Sequence, residues 1–268
     1  MAAASFHARS NSLPARSHPL VSEIDEQVCR LRQSQAASTS SSSIGRNLNG
    51  LQDVYDCVDQ LLRLPTTQQA LINDQNCFNE LLDGSLRILD LCNTAKDALS
   101  QMKESVAEIQ SAIRRRQDGL QGEIRRYLKS RKTVVKAIQK VLKGMVSKKS
   151  TSSNNVETVS MLNVETVSTL KEAESAVVKV LECLLTFISQ TSSKPSSWSL
   201  FKRVAAVAAT ENEFSDVDAA LKMNNSGEEV QVQLKNLQPC IQDLEEGVES
   251  LFRRLIKTRA SILNIHNL

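Results

Sequence analysis

The sequence predicts an all-α fold, an elongated helical bundle with long coiled-coil-like helices, and three observations carry that reading. Glycine (8), proline (5) and aromatic residues (3%) are scarce in 268 residues, too few for the many turns of sandwiches and barrels. Over residues 77–116 core-compatible residues recur at alternating steps of three and four: Phe78, Leu81, Ser85, Ile88, Cys92, Ala95, Leu99, Met102, Val106, Ile109 and Ile113, with Ser85 the one polar member. A seam of equal regularity runs through Val230, Leu234, Leu237, Ile241, Leu244, Val248, Leu251, Leu255, Thr258, Ile262 and Ile265. Spacing that averages about 3.5 residues holds one stripe on one side of a helix. At ~1.5 Å per residue the 77–116 rod is roughly 60 Å long, and its stripe needs partner helices. The first candidates are 228–266 and 44–64.

In chain order, residues 1–18 read as a disordered tail before a bundle domain over 19–268. Pro19 occupies the first-turn position that proline favours, and Leu20, Ile24, Val28 and Leu31 supply an apolar face. The run AASTSSSS (36–43) reads as a polar loop ending in a serine cap. A helix over 44–64 carries Ile44, Leu48, Leu51, Tyr55, Val58 and Leu62; Pro65 stops it and TTQQAL starts a short helix before the rod. Gly119 and Gly122 mark a turn. The next helix, from Leu120 to about Met145, turns Ile124, Leu128, Val134, Val135, Ile138, Val141 and Leu142 inward. Mobile linkers are expected at 148–155 and 190–199, on either side of a helix from about 156 to 189 with Val159, Leu170, Val177, Leu181, Leu184 and Ile188 inward. One or two short amphipathic helices are expected within 200–223, ended by Asn224, Asn225 and Gly227. The last helix starts near Glu228, with a kink or restart at Pro239. The near-perfect repeat NVETVSML/NVETVSTL (155–170) cannot present one face twice, because eight residues overshoot two turns by about 80°. It reads as a tolerated insertion at a helix end.

Chemistry is sparse. The chain has no G-x-x-x-x-G-K-[ST], G-x-G-x-x-G or G-x-S-x-G, and its only histidines are His7, His18 and His266. No enzyme, metal or cofactor is expected. The six cysteines (29, 57, 77, 92, 183, 240) contain no C-x-x-C and read as reduced thiols of a reducing compartment. No apolar run reaches the ~20 residues of a membrane span. The first 22 residues are rich in Ala, Ser and Arg and free of acids until Glu23. That suits an organellar transit peptide and a regulatory tail alike; the expectation is a cytoplasmic protein, with the transit reading open.

Charge is the distinctive feature. Residues 114–149 hold thirteen Lys/Arg against Asp118 and Glu123, whereas 151–250 hold fifteen acids and seven bases. Three explanations stand: the two regions pair inside the bundle; the basic helix binds an external anion; or the charge is only solvated. The candidate anion or membrane-contact face is Arg114, Arg115, Arg116, Arg125, Arg126, Lys129, Arg131, Lys132, Lys136, Lys140 and Lys143. An acidic membrane is favoured over nucleic acid, because Tyr127 is the only aromatic there to stack on a base. In the tail, Arg9, Ser10, Ser12 and Pro14 form R-S-x-S-x-P, a pattern that 14-3-3 proteins bind once the second serine is phosphorylated. Trp198, the only tryptophan, reads as a plug over the bundle end. Protein partners are expected, and a homo-oligomer stays open because seams can close within or between chains.

The blocks SFHARSNSLPARSHPLVSEIDEQVCRLR, LNGLQDVYDCVDQLL, ELLDGSLRILDLCNTAKDAL, EIRRYLKSRKTVVKAIQK, SSWSLFKR and CIQDLEEGVESLFRRLIKTRASILNI closely resemble the plant-specific BYPASS-like family, long catalogued as a domain of unknown function. The resemblance runs nearly end to end and departs from the family pattern at the second NVETVS. It implies an all-helical plant protein linked to root and shoot development, and brings no catalytic residues. The expected function is a non-enzymatic interaction or scaffold protein. The alternative is a peripheral membrane or nucleic-acid-binding regulator acting through 114–149.

Overall fold

The structure, a computed structural model, describes residues 18–37, 40–115, 119–148, 161–191, 212–223 and 227–265. Among them eight helices and no strands are found: α1 (Pro19–Ala37), α2 (Ser41–Leu62), α3 (Pro65–Asn73), α4 (Gln75–Arg114), α5 (Leu120–Lys148), α6 (Met161–Ser189), α7 (Glu213–Lys222) and α8 (Gly227–Ile265). The tail at 1–17, most of the expected linkers, the first part of the repeat, Trp198 and residues 200–211 lie outside the described residues.

Side-chain caps set several of the helix starts. The Ser40 hydroxyl accepts from the Ser43 amide at 3.3 Å and the Ser40 carbonyl from Ile44 at 3.0 Å. Helix α2 therefore begins at Ser41, and 41–43 is its first turn where a loop was expected. The Asp74 carboxylate accepts from the Cys77 amide at 2.9 Å and opens α4, while Asn212 Oδ1 accepts from Phe214 and Ser215 to open α7. Pro65 takes the first-turn position of α3. The restart expected at Pro239 does not occur: α8 runs through it without interruption. Pro239 is exposed, while Leu237, Cys240 and Ile241 around it are buried. The lost hydrogen bond therefore falls on the solvent side, and packing on both flanks carries the helix across.

The core is a ring of four helices in the order α2, α8, α4, α6. All eleven residues of the α8 seam and all six of α2 are buried. Helices α2 and α8 run parallel, because Gln52–Ser250, Asp56–Arg254 and Asp59–Lys257 climb together. Helix α4 opposes α8 through Lys96–Glu249, Lys103–Glu245 (2.5 Å) and Gln110–Gln238 (3.1 Å). It runs with α6 through Glu80–Lys171 (2.6 Å) and Arg87–Glu174 (3.1 Å). The expected pairing of 77–116 with 228–266 is present. The one with 44–64 is corrected: α2 stands diagonally across the ring, and the direct neighbours of α4 are α8, α5, α6 and α3. Around the ring, α1 lies along α2 and α6, α5 along α4 and α6, and α7 on α8.

Helix α4 meets so many neighbours because it buries more than its apolar seam. Cys77, Gly84, Leu91, Ala98, Ser105 and Ala112 form a second buried column, seven residues apart. Five of the six are small, which lets adjoining helices approach closely. At Gly84 a Cβ would overlap the Glu174 carboxylate of α6. Ser105 of this column donates to Ser130 of α5 at 3.2 Å.

Candidate functional site

Helix α5 is two-sided. Ile124, Tyr127, Arg131, Val134 and Ile138 are buried at steps of three and four. On the opposite side Arg125, Lys129, Lys132, Lys136, Lys140 and Lys143 are all exposed, at steps of four, three, four, four and three. At ~100° and ~1.5 Å per residue, these six cations occupy an arc of about 80° and a length of about 27 Å. Arg126 is also exposed and pairs with Glu123 at 3.0 Å, the only acid of the helix. Among the described residues no carboxylate forms a salt bridge with Arg125, Lys129, Lys132, Lys136 or Lys140. Arg114 and Arg115 are exposed where α4 ends, Arg115 donating to the Ser111 hydroxyl. Arg116 lies outside the described residues, as do Arg9, Ser10, Ser12 and Pro14.

One expected member of the face belongs elsewhere. Arg131 is 3% exposed, so it is removed from the contact face. Its Nε donates to both oxygens of Asp218 (3.1 and 3.3 Å), which is 1% exposed. Its terminal nitrogens donate to the carbonyls of Ile188 and, at 2.6 Å, Gln190. These carbonyls belong to the C-terminal end of α6, where no intrahelical partner exists. The guanidinium lies over the Phe214 ring, 5.2 Å from its centroid, and Phe214 meets Phe187 edge-on. Tyr127 also turns inward and donates to Asp218 at 3.3 Å, so no aromatic ring from this helix is available for base stacking. Burial pushes the Asp218 carboxyl above the usual carboxylate range against the pull of Arg131, and pushes the Tyr127 phenol up as well. Asn212 completes the cluster by donating to the Phe187 carbonyl at 2.9 Å. The sequence offered a signal for this: Tyr127, Arg131, Val134 and Ile138 share one apolar phase, which a surface arginine would not keep.

The cysteines are free. Burial pushes the Cys92 and Cys240 thiols up to about 12 and that of Cys77 to about 11. Thiols so placed are poor nucleophiles at neutral pH. Inside the ring, a cavity of about 30 Å³ lined in part by Tyr55, Ser85, Glu174 and Thr258 has room for a water molecule rather than a substrate. No helix among the described residues is long and apolar enough to cross a membrane.

In comparisons with known proteins, the model of a family described as Protein BPS1 matches residues 47–265, a span that takes in the four-helix ring except the first residues of α2, and the whole of α5. Nothing matches among curated proteins or among solved structures.

Proposed function

Because the chain belongs to the family described as Protein BPS1, we propose that it is a non-enzymatic interaction protein of plant development that docks on anionic membrane surfaces through the outer face of α5. The observation that carries this reading is the stripe Arg125, Lys129, Lys132, Lys136, Lys140 and Lys143. A lysine or arginine held near an anionic bilayer contributes about 1 kcal/mol, so six give roughly 6 kcal/mol, enough for reversible, salt-sensitive attachment. Among the described residues no exposed large hydrophobic side chain lies on α5, so the attachment proposed is electrostatic, without insertion. The ring beneath holds the stripe straight and leaves the other helix surfaces for protein partners. Nucleic acid is the competing anion, and the inward turn of Tyr127 disfavours it, because single-strand binding relies on stacking platforms.

Vesicle sedimentation tests the reading. The full chain should sediment with phosphatidylserine-containing vesicles at about 50 mM salt, release at about 500 mM, and ignore phosphatidylcholine alone. The triple variant Lys129→Glu, Lys136→Glu, Lys140→Glu should stay in the supernatant with its far-UV circular dichroism unchanged. Binding to duplex or single-stranded DNA in place of vesicles would transfer the stripe to nucleic acid, and sedimentation of the triple variant would remove it from the contact.

A further inference from the structure

Beside the cationic stripe, α4 carries its opposite. Asp83, Asp90, Asp97 and Glu104 are seven residues apart, Glu108 follows, and all five are exposed. A heptad column drifts only about 20° per step around a helix, so these acids share one outer face. Three cations of α4 are turned to its flanks and engaged there, Arg87 with Glu174, Lys96 with Glu249 and Lys103 with Glu245, and the fourth, Arg114, stands exposed at its C-terminal end. Among the described residues none of the five acids forms a salt bridge. Helix α5 repeats the arrangement with the sign reversed, since its one acid is engaged by Arg126. Two neighbouring antiparallel helices thus expose stripes of opposite charge that do not neutralise each other. The helices meet through small residues, Ser105 on Ser130, and the charges stand on the outer faces.

We propose that a second copy of this chain covers this hairpin, the acidic column of α4 in each copy lying along the cationic stripe of α5 in the other. The Ser105–Ser130 contact sets the register. Counting away from it in an antiparallel pair, Glu108 is level with Tyr127, Glu104 with Arg131, Asp97 with Ile138 and Asp90 with Met145. Glu108, Glu104 and Asp97 therefore occupy the same height as the cations from Arg125 to Lys143, Asp90 stands level with the end of that stripe, and Asp83 lies beyond it. Rotation about a two-fold axis parallel to the helices leaves height unchanged and exchanges left for right, so it places each acidic column over the partner's cationic stripe, in register, twice. An isologous contact of this kind closes on itself. It rests on charge, so it is salt-labile. It goes beyond the membrane reading and shares only the α5 stripe with it, which makes self-association and anionic lipid competitors for one surface.

Sedimentation velocity and light scattering on the full chain test it with charge swaps. The wild type should move toward twice the monomer mass at about 50 mM salt and return to monomer at about 500 mM. The variant Asp90→Lys, Asp97→Lys, Glu104→Lys and the variant Lys129→Glu, Lys136→Glu, Lys140→Glu should each be monomeric at low salt. Mixed in equal amounts they should recover the dimer mass, because each presents to the other the two stripes it needs. If either triple variant loses its circular dichroism signal, the single changes Asp97→Lys and Lys136→Glu take its place, each expected to weaken association several-fold. A wild type that stays monomeric at low salt, a dimer that persists in either variant, or a mixture that stays monomeric overturns the pairing. The α4 variant separates the two readings: it should lose self-association and keep sedimentation with phosphatidylserine vesicles, so either property can fail without the other.

Discussion

Arg131 shows how one side chain can change role between a charge count and a fold. It contributes to the basic run in the sequence, yet its terminal nitrogens close the end of α6 and its Nε holds α7 through Asp218. Breaking a buried pair by removing one partner costs about 3–5 kcal/mol. Arg131→Met should lower stability by that amount in urea titration, whereas the exposed Lys132→Met should stay within about 0.5 kcal/mol; equal effects would mean that burial at 131 counts for nothing. Asp59 gives a second residue-scale test. Burial alone would raise its carboxyl, but hydrogen bonds from Lys257 and Ser261 and the charges of Lys257 and Arg63 outweigh it and hold the group below the usual carboxylate value. A depressed folded value means stabilisation that is present above the unfolded value of about 3.9 and is lost as pH falls through the folded one. The gap in melting temperature between wild type and Asp59→Asn should therefore be widest near neutrality and close below about pH 4. A gap that does not depend on pH would mean that Asp59 acts by packing alone.

At the scale of the element, the apolar seams were the legible part. Every seam position of α2 and α8 is buried, because Leu, Ile and Val at helical spacing leave few alternatives. Leu99 sits mid-rod with no exposed surface, so Leu99→Asp should cost more than about 4 kcal/mol and abolish the cooperative unfolding transition; an unchanged melting curve would show that the rod does not line the core. What escaped the reading was carried by residues with weak hydropathy. The second column of α4, with Gly84, Ala98, Ser105 and Ala112, is visible only as a seven-residue spacing of small side chains, and it decides that α6 and α5, not α2, lie beside the rod. The cap at Ser40 is hard to single out because three serines follow it directly and could each serve. Pro239 removes a hydrogen bond from its helix, but the buried residues on its flanks settle the outcome. Of the basic face, the exposed stripe follows from spacing alone, while the departure of Arg131 needed Asp218, 87 residues away.

For the whole molecule, the serine- and arginine-rich tail carries a sequence motif that can be tested separately from the opposed stripes. Phosphate on Ser12 adds up to about two negative charges within the sequence Arg9 to Pro14. Phosphorylation-dependent capture by 14-3-3 proteins should vanish in Ser12→Ala, while vesicle sedimentation of the unphosphorylated chain stays as it was; capture retained in Ser12→Ala would assign it to another site. The order of the ring has a consequence in time. Helix α4 ends at Arg114, yet its counterpart in the ring, α8, begins only at Gly227 and extends to Ile265. At about 5–20 residues per second of synthesis, the seam of α4 leaves the ribosome roughly 8–30 s before all of α8 can close over it. The α4–α5 hairpin can form at once from local contacts, but the α8-facing side of the rod must wait. Until α8 has emerged, the α8-facing seam of α4 has no partner within the chain, so the stability of the finished fold does not yet protect it.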